Sequence, residues 1–246
     1  MENTNDVDRR SGGTTCYADF ILHQQGSLFG GNEVIGFGGA EFSVREIARD
    51  SANKIVVANH YSGKFYSASW IHLGVFNRNG CEGVLQLGYA MNPQSMGGVV
   101  ADTKDDEYLE LNRMWLSDAM PRNSETKAIS YAVKFIRKKY PKIGWIQSFA
   151  DERCGRFGVV YQAASFLYCG EHTATFWELD GVWYHNSLMT RRPELSKAAA
   201  MIQQRKDECS RHEFRQFRYV KPLKSWARRR LLLPVLPFPK PESKSA

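Results

Sequence analysis

The stretch from Glu107 to Asp180 constrains the fold most, because strand-like and helix-like patterns alternate along it. Alternating side chains indicate a strand, and apolar residues repeated every three to four positions indicate a helix. In such a fold the polar strand ends gather at one edge of the sheet, where a ligand can bind. The order predicts an α/β fold with a mixed central sheet flanked by helices. Its predicted elements are strand 107–117, helix 124–140, strand 143–150, helix 158–169, strand 173–179 and a hairpin turn at Asp180-Gly181.

The flanking parts of the chain are expected to add further strands and helices. A helix is expected over residues 43–50, because Ser43 and Glu46 have the spacing of a capping box. The glycine-rich residues 24–39 are interpreted as an irregular connection or a loop that lines a substrate site. The other expected elements are strands 16–22, 54–58, 67–76 and 84–91, an Asn-Gly turn at 77–80, and helices 195–206 and 208–220 before a proline-rich end.

Size and composition exclude several classes of protein. A chain of 246 residues with 43% hydrophobic residues can bury a large core. It has no run of about 18 apolar residues, so we expect no transmembrane helix and no membrane partner. Residues 1–15 lack the apolar centre of a signal peptide and are expected to be disordered. The five cysteines include no C-x-x-C pair, which favours a reducing compartment such as a cytoplasm.

Positive charge is concentrated after residue 190. Residues 191–246 hold 15 Lys and Arg against 5 Asp and Glu, whereas residues 1–190 hold 18 against 21. Aromatic residues such as Phe214 and Trp226 interleave with these cations, which is typical of surfaces that bind nucleic acid, although a solvated basic segment is the alternative. The candidates for binding nucleic acid, which would be DNA under the resemblance described below, are Arg191, Arg192, Arg211, Arg215, Arg218, Lys221, Lys224, Arg228, Arg229 and Arg230.

These patterns predict three parts in the chain. Residues 1–15 form a disordered N-terminus, residues 16–190 a catalytic domain, and residues 191–246 a basic C-terminal extension that is flexible at its end. Within the catalytic domain, Asp151 follows a predicted strand, Ser124 opens a predicted helix, and His60 follows another strand. Simpler roles are open to each, because a loop carboxylate, a helix N-cap and a structural histidine are all common.

Four sequence strings resemble the bacteriophage Mu Mom family of DNA-modification proteins, and the resemblance spans residues 54–221. The strings are Asn59-His-Tyr-Ser-Gly63, Leu111-Asn-Arg-Met-Trp115, Ser148-Phe-Ala-Asp151 and Asn186-Ser-Leu-Met189. The order of elements also resembles the GNAT acyltransferase fold. The resemblance implies a transferase that converts adenine in DNA to N6-carbamoylmethyladenine, a glycinamide-type product that protects phage DNA from host restriction endonucleases.

The resemblance also implies which residues act. Matched motif by motif, the catalytic candidates are His60, Tyr61, Arg113, Ser124, Asp151 and Tyr161. An iron ion is associated with the family, and His60 and Asp151 are its candidate ligands here. The sequence itself has no dense histidine and carboxylate motif of the kind that binds such a metal.

One loop departs from the GNAT pattern. In GNAT enzymes a glycine-containing loop at a helix N-terminus binds the pyrophosphate of coenzyme A. The equivalent loop here, residues 121–126, has no glycine, and Arg122 and Ser124 are the candidates for binding the donor. The donor is therefore left open between an acyl-CoA and a glycyl carrier such as aminoacyl-tRNA. The expected partners are double-stranded DNA and, with such a donor, tRNA; the oligomeric state, a homodimer included, is left open.

The chemistry of adenine suggests a role for each candidate. The amine is a weak nucleophile inside the duplex stack, so the base must be flipped out or unpaired. Asp151 is the candidate general base, His60 an acid–base group or metal ligand, and Arg113 the group that stabilises a developing anion. The remaining candidates would stack on the base or bind the donor, and these are Tyr61, Tyr161 and Ser124.

Purely structural roles are also open to two of these candidates. Arg113 can be an ion-pair partner of Glu110 or Asp118, and Tyr161 can be a core residue. The alternative functions for the whole chain are a GNAT N-acetyltransferase acting on a protein or small molecule, and a DNA-binding protein without enzymatic activity. The missing glycines argue against the first of these, and the clustered polar residues argue against the second.

Overall fold

The computed structural model describes residues 34–155 and 157–240, which fall into two compact units. The first unit contains the described residues up to Gln147 together with Lys221–Leu232. The second contains the described residues of Ser148–Val220 and those from Leu233 onward. The predictions for residues 1–15 and 16–22 lie outside the described residues.

Strands and helices alternate along the described chain. The strands are β1 (Gly36–Gly39), β2 (Phe42–Glu46), β3 (Ser69–Asn77), β4 (Gly80–Gly88), β5 (Tyr108–Leu116), β6 (Trp145–Asp151), β7 (Leu167–Leu179), β8 (Val182–His185) and β9 (Ser210–Pro222). The α-helices are α1 (Arg49–Asn59), α2 (Ser124–Lys139), α3 (Val159–Ala163), α4 (Ser187–Thr190), α5 (Lys197–Gln204) and α6 (Ser225–Arg229). Short 3-10 helices span Pro93–Gly98, Glu152–Cys154, Pro193–Leu195 and Lys206–Glu208.

The first unit is built on a mixed sheet. Its strands follow in chain order from β1 to β6, with antiparallel pairs up to β5 and a parallel pair between β5 and β6. The predicted hairpin around residues 77–80 is confirmed as the turn between β3 and β4. The predicted helix over 124–140 is confirmed as α2, which buries Ala128, Phe135 and Ile136. The predicted α/β class with a mixed sheet and flanking helices is therefore confirmed.

Three predictions in the first unit are wrong. The glycine-rich residues 24–39, interpreted as an irregular connection or a substrate-lining loop, end in strand β1 (Gly36–Gly39), and residues 24–33 lie outside the described residues. The other two concern the type of an element. The strand expected at 54–58 lies inside α1, where Ala52 and Val56 fall on one helical face and pack against Val84. The helix expected over 43–50 is instead strand β2 up to Glu46, and it pairs with both β1 and β3. Tertiary contacts decide both cases, because the apolar stripe of α1 packs on the sheet and β2 pairs with a strand on each side. His60 consequently follows a helix and not a strand.

The second unit contains antiparallel pairs, with β7 joined to β8 on one side and to β9 on the other. The hairpin predicted at Asp180-Gly181 is confirmed as the turn between β7 and β8. Both turn residues have positive φ, 53° at Asp180 and 74° at Gly181, as this kind of turn requires. Helix α5 likewise confirms the helix predicted over 195–206.

Two helices predicted in the second unit are wrong. The helix expected over 158–169 ends at Ala163, and the chain continues as β7 through Gly170, where the register with β9 shifts. The helix expected over 208–220 is strand β9. Its residues alternate, because Phe217 and Tyr219 are fully buried while Arg218 between them is not.

The residues after 190 do not appear as a separate basic extension. Strand β9 pairs with β7 inside the second unit, and α6 belongs to the first unit. Further along the chain, the backbone N–H of Leu236 donates to the carbonyl of Tyr168 at 2.9 Å. Among the described helices, none combines the length and the apolar character that a membrane span requires.

Candidate active site

His60 lies directly after α1, where its backbone N–H donates to the carbonyl of Val56 at 2.9 Å and ends the helix. Its ring atom Nδ1 accepts a hydrogen bond from the backbone N–H of Ser62 at 3.1 Å and lies 2.8 Å from Ser62 Oγ. A backbone N–H can only donate, so Nδ1 carries no proton and the neutral ring holds its proton on Nε2. His60 therefore offers a hydrogen-bond donor at Nε2.

The environment of His60 keeps its ring neutral. Burial, together with the positive charge of Arg113, lowers the pKa of His60 from 6.5 to about 4. The ring of Tyr61 lies against it, with 4.3 Å between ring centres, and the Tyr61 side chain is 62% exposed. A neutral imidazole N–H beside a guanidinium can donate to an oxygen that gains negative charge, without first losing or gaining a proton.

Arg113 extends from β5 and fixes the loop that follows His60. Its Nε donates to the carbonyl of Lys64 at 2.9 Å, and its Nη1 donates to the carbonyl of Asn112 at 2.6 Å. The guanidinium carbon lies 6.0 Å from the centre of the Tyr66 ring. Burial lowers the pKa of Arg113, which still stays charged at neutral pH. The predicted site residues that the structure brings together here are His60, Tyr61 and Arg113.

Glu110 is a functional candidate that the sequence suggested only as an ion-pair partner. Its carboxylate accepts hydrogen bonds from Gln147 Nε2 at 2.7 Å and from Asn112 Nδ2 at 3.1 Å. Gln147 is buried, so one of these partners is held rigidly. Burial and the charge of Glu110 raise the pKa of Tyr66. The signal in the sequence was the polar alternation of Glu110 and Asn112 with apolar residues along β5.

These residues form one cluster of the first unit, which we call the His60–Arg113 cluster: His60, Tyr61, Tyr66, Glu110 and Arg113. It combines a neutral N–H donor, a guanidinium, two phenols and a carboxylate. The donors can stabilise an oxygen that becomes negative, and the carboxylate can take up a proton. An exposed tyrosine ring such as that of Tyr61 can contact a flat ligand.

Asp151 lies in the second unit, at the end of β6, and is held by Arg153. Arg153 Nε lies 3.0 Å from each carboxylate oxygen, and the backbone N–H of Arg153 donates to Oδ1 at 2.9 Å. Burial raises the pKa of Asp151, but the hydrogen bonds and charge of Arg153 outweigh it, and the net pKa is lowered. A carboxylate so engaged is a weak base, so the geometry favours a positioning role over the general base expected from the sequence.

Ser124 and Tyr161 occupy structural positions. The N-cap of α2 is Asn123, with φ of 69°, and Ser124 is the first helical residue, so the expected N-cap role of Ser124 is wrong. Ser124 is 4% exposed, and its N–H donates to the carbonyl of Pro121 at 3.1 Å. Tyr161 packs in the second unit against Phe166 and Tyr219, at 5.6 and 5.4 Å between ring centres. The core alternative for Tyr161 is thereby favoured.

Neither the surroundings of His60 in the first unit nor those of Asp151 in the second supply a set of metal ligands among the described residues. Among residues 34–155 and 157–240, no group of three or more His, Cys, Asp or Glu side chains is placed to hold a metal ion. Ser62 occupies Nδ1 of His60, and Arg153 occupies both oxygens of Asp151. These residues do not fit an iron centre, and no step is derived through iron.

The ten candidate DNA-binding residues are divided between the units. Arg211 pairs with Glu213, and Arg215 pairs with Glu152 through both its backbone N–H and its guanidinium. The α6 segment holds four exposed candidates, and Arg191, Arg192 and Arg211 are exposed as well; the four are Lys224, Arg228, Arg229 and Arg230. This segment is anchored, because the N–H groups of Leu223 and Lys224 both donate to the carbonyl of Gly144, at 2.7 and 3.0 Å.

Solved structures similar to this chain are acetyltransferases. A ribosomal-protein-S5-alanine acetyltransferase from Vibrio fischeri is 10% identical and covers 78% of this chain and 99% of its own, with a TM-score of 0.45. An acetyltransferase of the GNAT family from Streptococcus pneumoniae is also 10% identical and covers 74% of this chain and 99% of its own, with a TM-score of 0.44. At this sequence identity and TM-score, the similarity does not indicate a function.

The comparison of sequences goes further. The methylcarbamoylase Mom of Escherichia phage Mu is 48% identical to this chain over 211 residues, which are 85% of this chain and 88% of that protein. A model of the Mom protein family matches residues 41–240. The chain therefore belongs to the Mom protein family.

Proposed function

We propose that this chain is a transferase that modifies DNA inside the phage-infected cell, and that it attaches a carbamoylmethyl group to the N6 amine of adenine. Membership of the Mom family supports the modification of DNA, and the name of the phage Mu relative, a methylcarbamoylase, supports the transfer of a small amide-containing group. The protection of phage DNA from host restriction follows as the expected biological consequence.

The observation that carries the proposal is the pairing of His60 with Arg113. Two donors that need no proton transfer, an imidazole Nε2–H and a guanidinium, lie in one partly buried cluster. A glycyl group on coenzyme A or on tRNA presents a carbonyl oxygen, which gains negative charge when the adenine amine adds to the carbonyl; the bond to the carrier then breaks, the carrier takes up the proton, and N6-glycyladenine is left. This product is an isomer of carbamoylmethyladenine, and its conversion, which moves the bond of N6 from the carbonyl carbon to the methylene carbon, is a separate step to which no residue is assigned. Preorganised donors stabilise that charge at little cost in reorganisation. His60 and Arg113 are therefore assigned to this oxygen.

The transfer also requires a proton acceptor, because the adenine amine loses a proton as its nitrogen forms the new bond. Glu110 is assigned to this role, since it is a carboxylate that interacts with both Arg113 and Tyr66 in the cluster. Asp151 is not assigned to it, since, despite burial, the charged guanidinium of Arg153 contacts both its oxygens and lowers its pKa. The Glu110 oxygens, in contrast, accept from the neutral amides of Gln147 and Asn112. Tyr61, exposed at the rim, is assigned to contact with the adenine ring.

The α6 segment is proposed as a contact to the DNA backbone. It presents Lys224, Arg228, Arg229 and Arg230 on a segment fixed to Gly144 by backbone hydrogen bonds. Arginine and lysine on a rigid support neutralise phosphates and release counterions. This contact would hold the polymer while the cluster acts on the base.

The test is the nucleoside composition of plasmid DNA from bacteria that make the protein. The wild-type chain should yield a heavier deoxyadenosine by mass spectrometry, together with plasmid that resists adenine-sensitive restriction enzymes. Glu110→Gln should lower the yield, while Lys142→Ala, which removes only an exposed ion pair with Asp106, should leave it unchanged. Unmodified deoxyadenosine in cells that contain folded wild-type protein would overturn the proposal.

A further inference from the structure

The second unit carries a patch of aromatic side chains on one face of its sheet, which we call the aromatic face: Phe176, Trp183, His212 and Phe214. The ring of Trp183 lies 4.8 Å from that of His212 and 5.5 Å from that of Phe214, measured between centres. His212 and Phe214 are nearly parallel, with 9° between their planes and 6.1 Å between their centres. The four rings therefore form one continuous surface across three strands.

The strand register places these rings on one side. Phe176 of β7 pairs with His212 of β9 and with His185 of β8, and paired residues in antiparallel strands point to the same face. Phe214 follows His212 by two positions, and Trp183 precedes His185 by two, so both share that face. The arrangement thus results from the pairing of the strands, and it does not depend on a mobile loop.

The outer part of the aromatic face is open. Trp183 is 39% exposed, and His212 and Phe214 are half-buried, whereas Phe176 is 8% exposed and forms the base of the patch. The opposite face of these strands carries polar side chains such as Thr175, Arg211 and Glu213, so the aromatic face is the apolar side of the sheet. Contact of these apolar rings with water is unfavourable, and a flat ligand that stacks on Trp183 and Phe214 would remove part of that contact.

A fixed cation borders the aromatic face. The guanidinium carbon of Arg153 lies 3.7 Å from the centre of the Phe176 ring and 5.8 Å from that of Phe214. Its orientation is set by the double contact with the Asp151 carboxylate. His185 repeats the arrangement seen at His60, since the backbone N–H of Ser187 donates to its Nδ1 at 3.1 Å and leaves the ring proton on Nε2. The border therefore presents hydrogen-bond donors, among them a guanidinium whose charge is paired with the Asp151 carboxylate.

We propose that the aromatic face binds an unpaired nucleobase of the DNA strand by stacking, with Trp183 as its principal contact. Stacked aromatic rings beside a guanidinium are the chemistry that recognises a base next to a phosphate, because every base has a flat π surface and its backbone is anionic. Extrusion of one base for reaction leaves its neighbours in the strand without a stacking partner, and this surface supplies one for such an unpaired neighbour. The proposal rests on the proposed function, because that function makes DNA the polymer.

The test compares variants of the full-length chain in binding to a dye-labelled single-stranded oligodeoxynucleotide by fluorescence anisotropy. Stacking on one aromatic ring is worth about 5-fold to 150-fold in affinity, so Trp183→Ala should weaken binding by that range. Trp183→Phe, which keeps a ring, should recover most of the affinity. Trp70→Ala is the matched control, because Trp70 is 38% exposed in the first unit, and it should bind like the wild type.

A second readout separates stacking from charge. A stacking contact releases no counterions, so the dependence of the logarithm of affinity on the logarithm of salt concentration should have the same slope in Trp183→Ala as in the wild type. Binding of Trp183→Ala that equals the wild type, or a loss that Trp183→Phe does not recover, would overturn the proposal. Equal or tighter binding of an RNA oligonucleotide of the same sequence would overturn the assignment to DNA.

The assay of adenine modification distinguishes failure of the aromatic-face proposal from failure of the proposed function. Wild-type protein that modifies adenine while Trp183→Ala binds single strands normally would refute the aromatic face and leave the proposed function intact. Wild-type protein that binds single-stranded DNA through Trp183 without modifying adenine would refute the proposed function alone.

Discussion

Replacing His60 by glutamine tests whether its ring acts as a hydrogen-bond donor. Since the N–H of Ser62 occupies Nδ1, the neutral ring carries its proton at Nε2. A glutamine amide nitrogen reaches the position of Nε2, whereas the amide nitrogen of the shorter asparagine reaches only that of Nδ1. His60→Gln therefore keeps a donor where the ring has one, and His60→Asn and His60→Ala do not.

The size of the effect follows from the role assigned to the ring. Removing one preorganised donor from a developing oxyanion lowers a rate roughly 100-fold to 1000-fold, which is about 3 to 4 kcal/mol. We expect this loss in His60→Asn and His60→Ala, and a loss of less than about 10-fold in His60→Gln. The lost hydrogen bond from Ser62 costs only about 1 kcal/mol of folding free energy, so all three variants should fold.

The assay is the rate at which plasmid deoxyadenosine becomes heavier after induction, followed by mass spectrometry and normalised to the amount of soluble protein. Thermal unfolding of each purified variant shows whether it is folded. If His60→Gln is as inactive as His60→Ala while both are folded, the donor role is refuted and a base role for the ring is supported. If His60→Ala keeps the wild-type rate, His60 has no part in the reaction.

Three further predictions concern pH, the Asp151 pair and the basic segment. Burial lowers the pKa values of four histidines, so the folded chain binds fewer protons than the unfolded chain; they are His60, His72, His172 and His185. The free energy of unfolding should therefore be highest above about pH 6.5 and should fall as the pH drops toward 5. Equal urea midpoints at pH 7.5 and at pH 5 would contradict this. Asp151→Asn should destabilise the chain by about 3 kcal/mol, because it leaves the Arg153 guanidinium without its carboxylate. Asp106→Asn, which removes an exposed ion pair with Lys142, should not shift the melting temperature. Equal melting temperatures of the two variants would refute the role of Asp151 in positioning Arg153. Replacing Arg228 and Arg229 by alanine should reduce the salt dependence of DNA binding by about one to two ions, and an unchanged slope would remove α6 from the interface.

The elements that the sequence predicted well are those whose local and tertiary preferences agree. Helix α2 has an apolar stripe and a basic last turn, and the hairpin of β3 and β4 has an Asn-Gly turn, so each could be found from residues close in sequence. Residues 54–58 contain Ile55, Val56 and Val57, which locally favour a strand, but packing of Ala52 and Val56 against Val84 makes them helical. No local signal records that packing.

The residues of the site likewise include some that could be predicted from the sequence and some that could not. The resemblance selected His60, Tyr61 and Arg113, but their proximity arises from the pairing of β5 and the loop at Lys64, which lie 49 residues apart. The engagement of Asp151 was open to prediction, since Arg153 is only two residues away and acidic and basic side chains so close often pair. The aromatic face was not, because Trp183 and Phe214 meet only through the register of β7 with β8 and β9.

Modification of adenine by the His60–Arg113 cluster is tested by tandem mass spectrometry of deoxyadenosine from bacteria that make matched amounts of wild-type protein, Arg113→Met or Trp70→Ala. We expect the added mass to stay with the adenine base fragment in the wild type and in Trp70→Ala. We expect this mass to be absent in Arg113→Met, which lacks the guanidinium assigned to the donor oxygen. Added mass on the sugar, or the same base modification in folded Arg113→Met, would contradict these expectations.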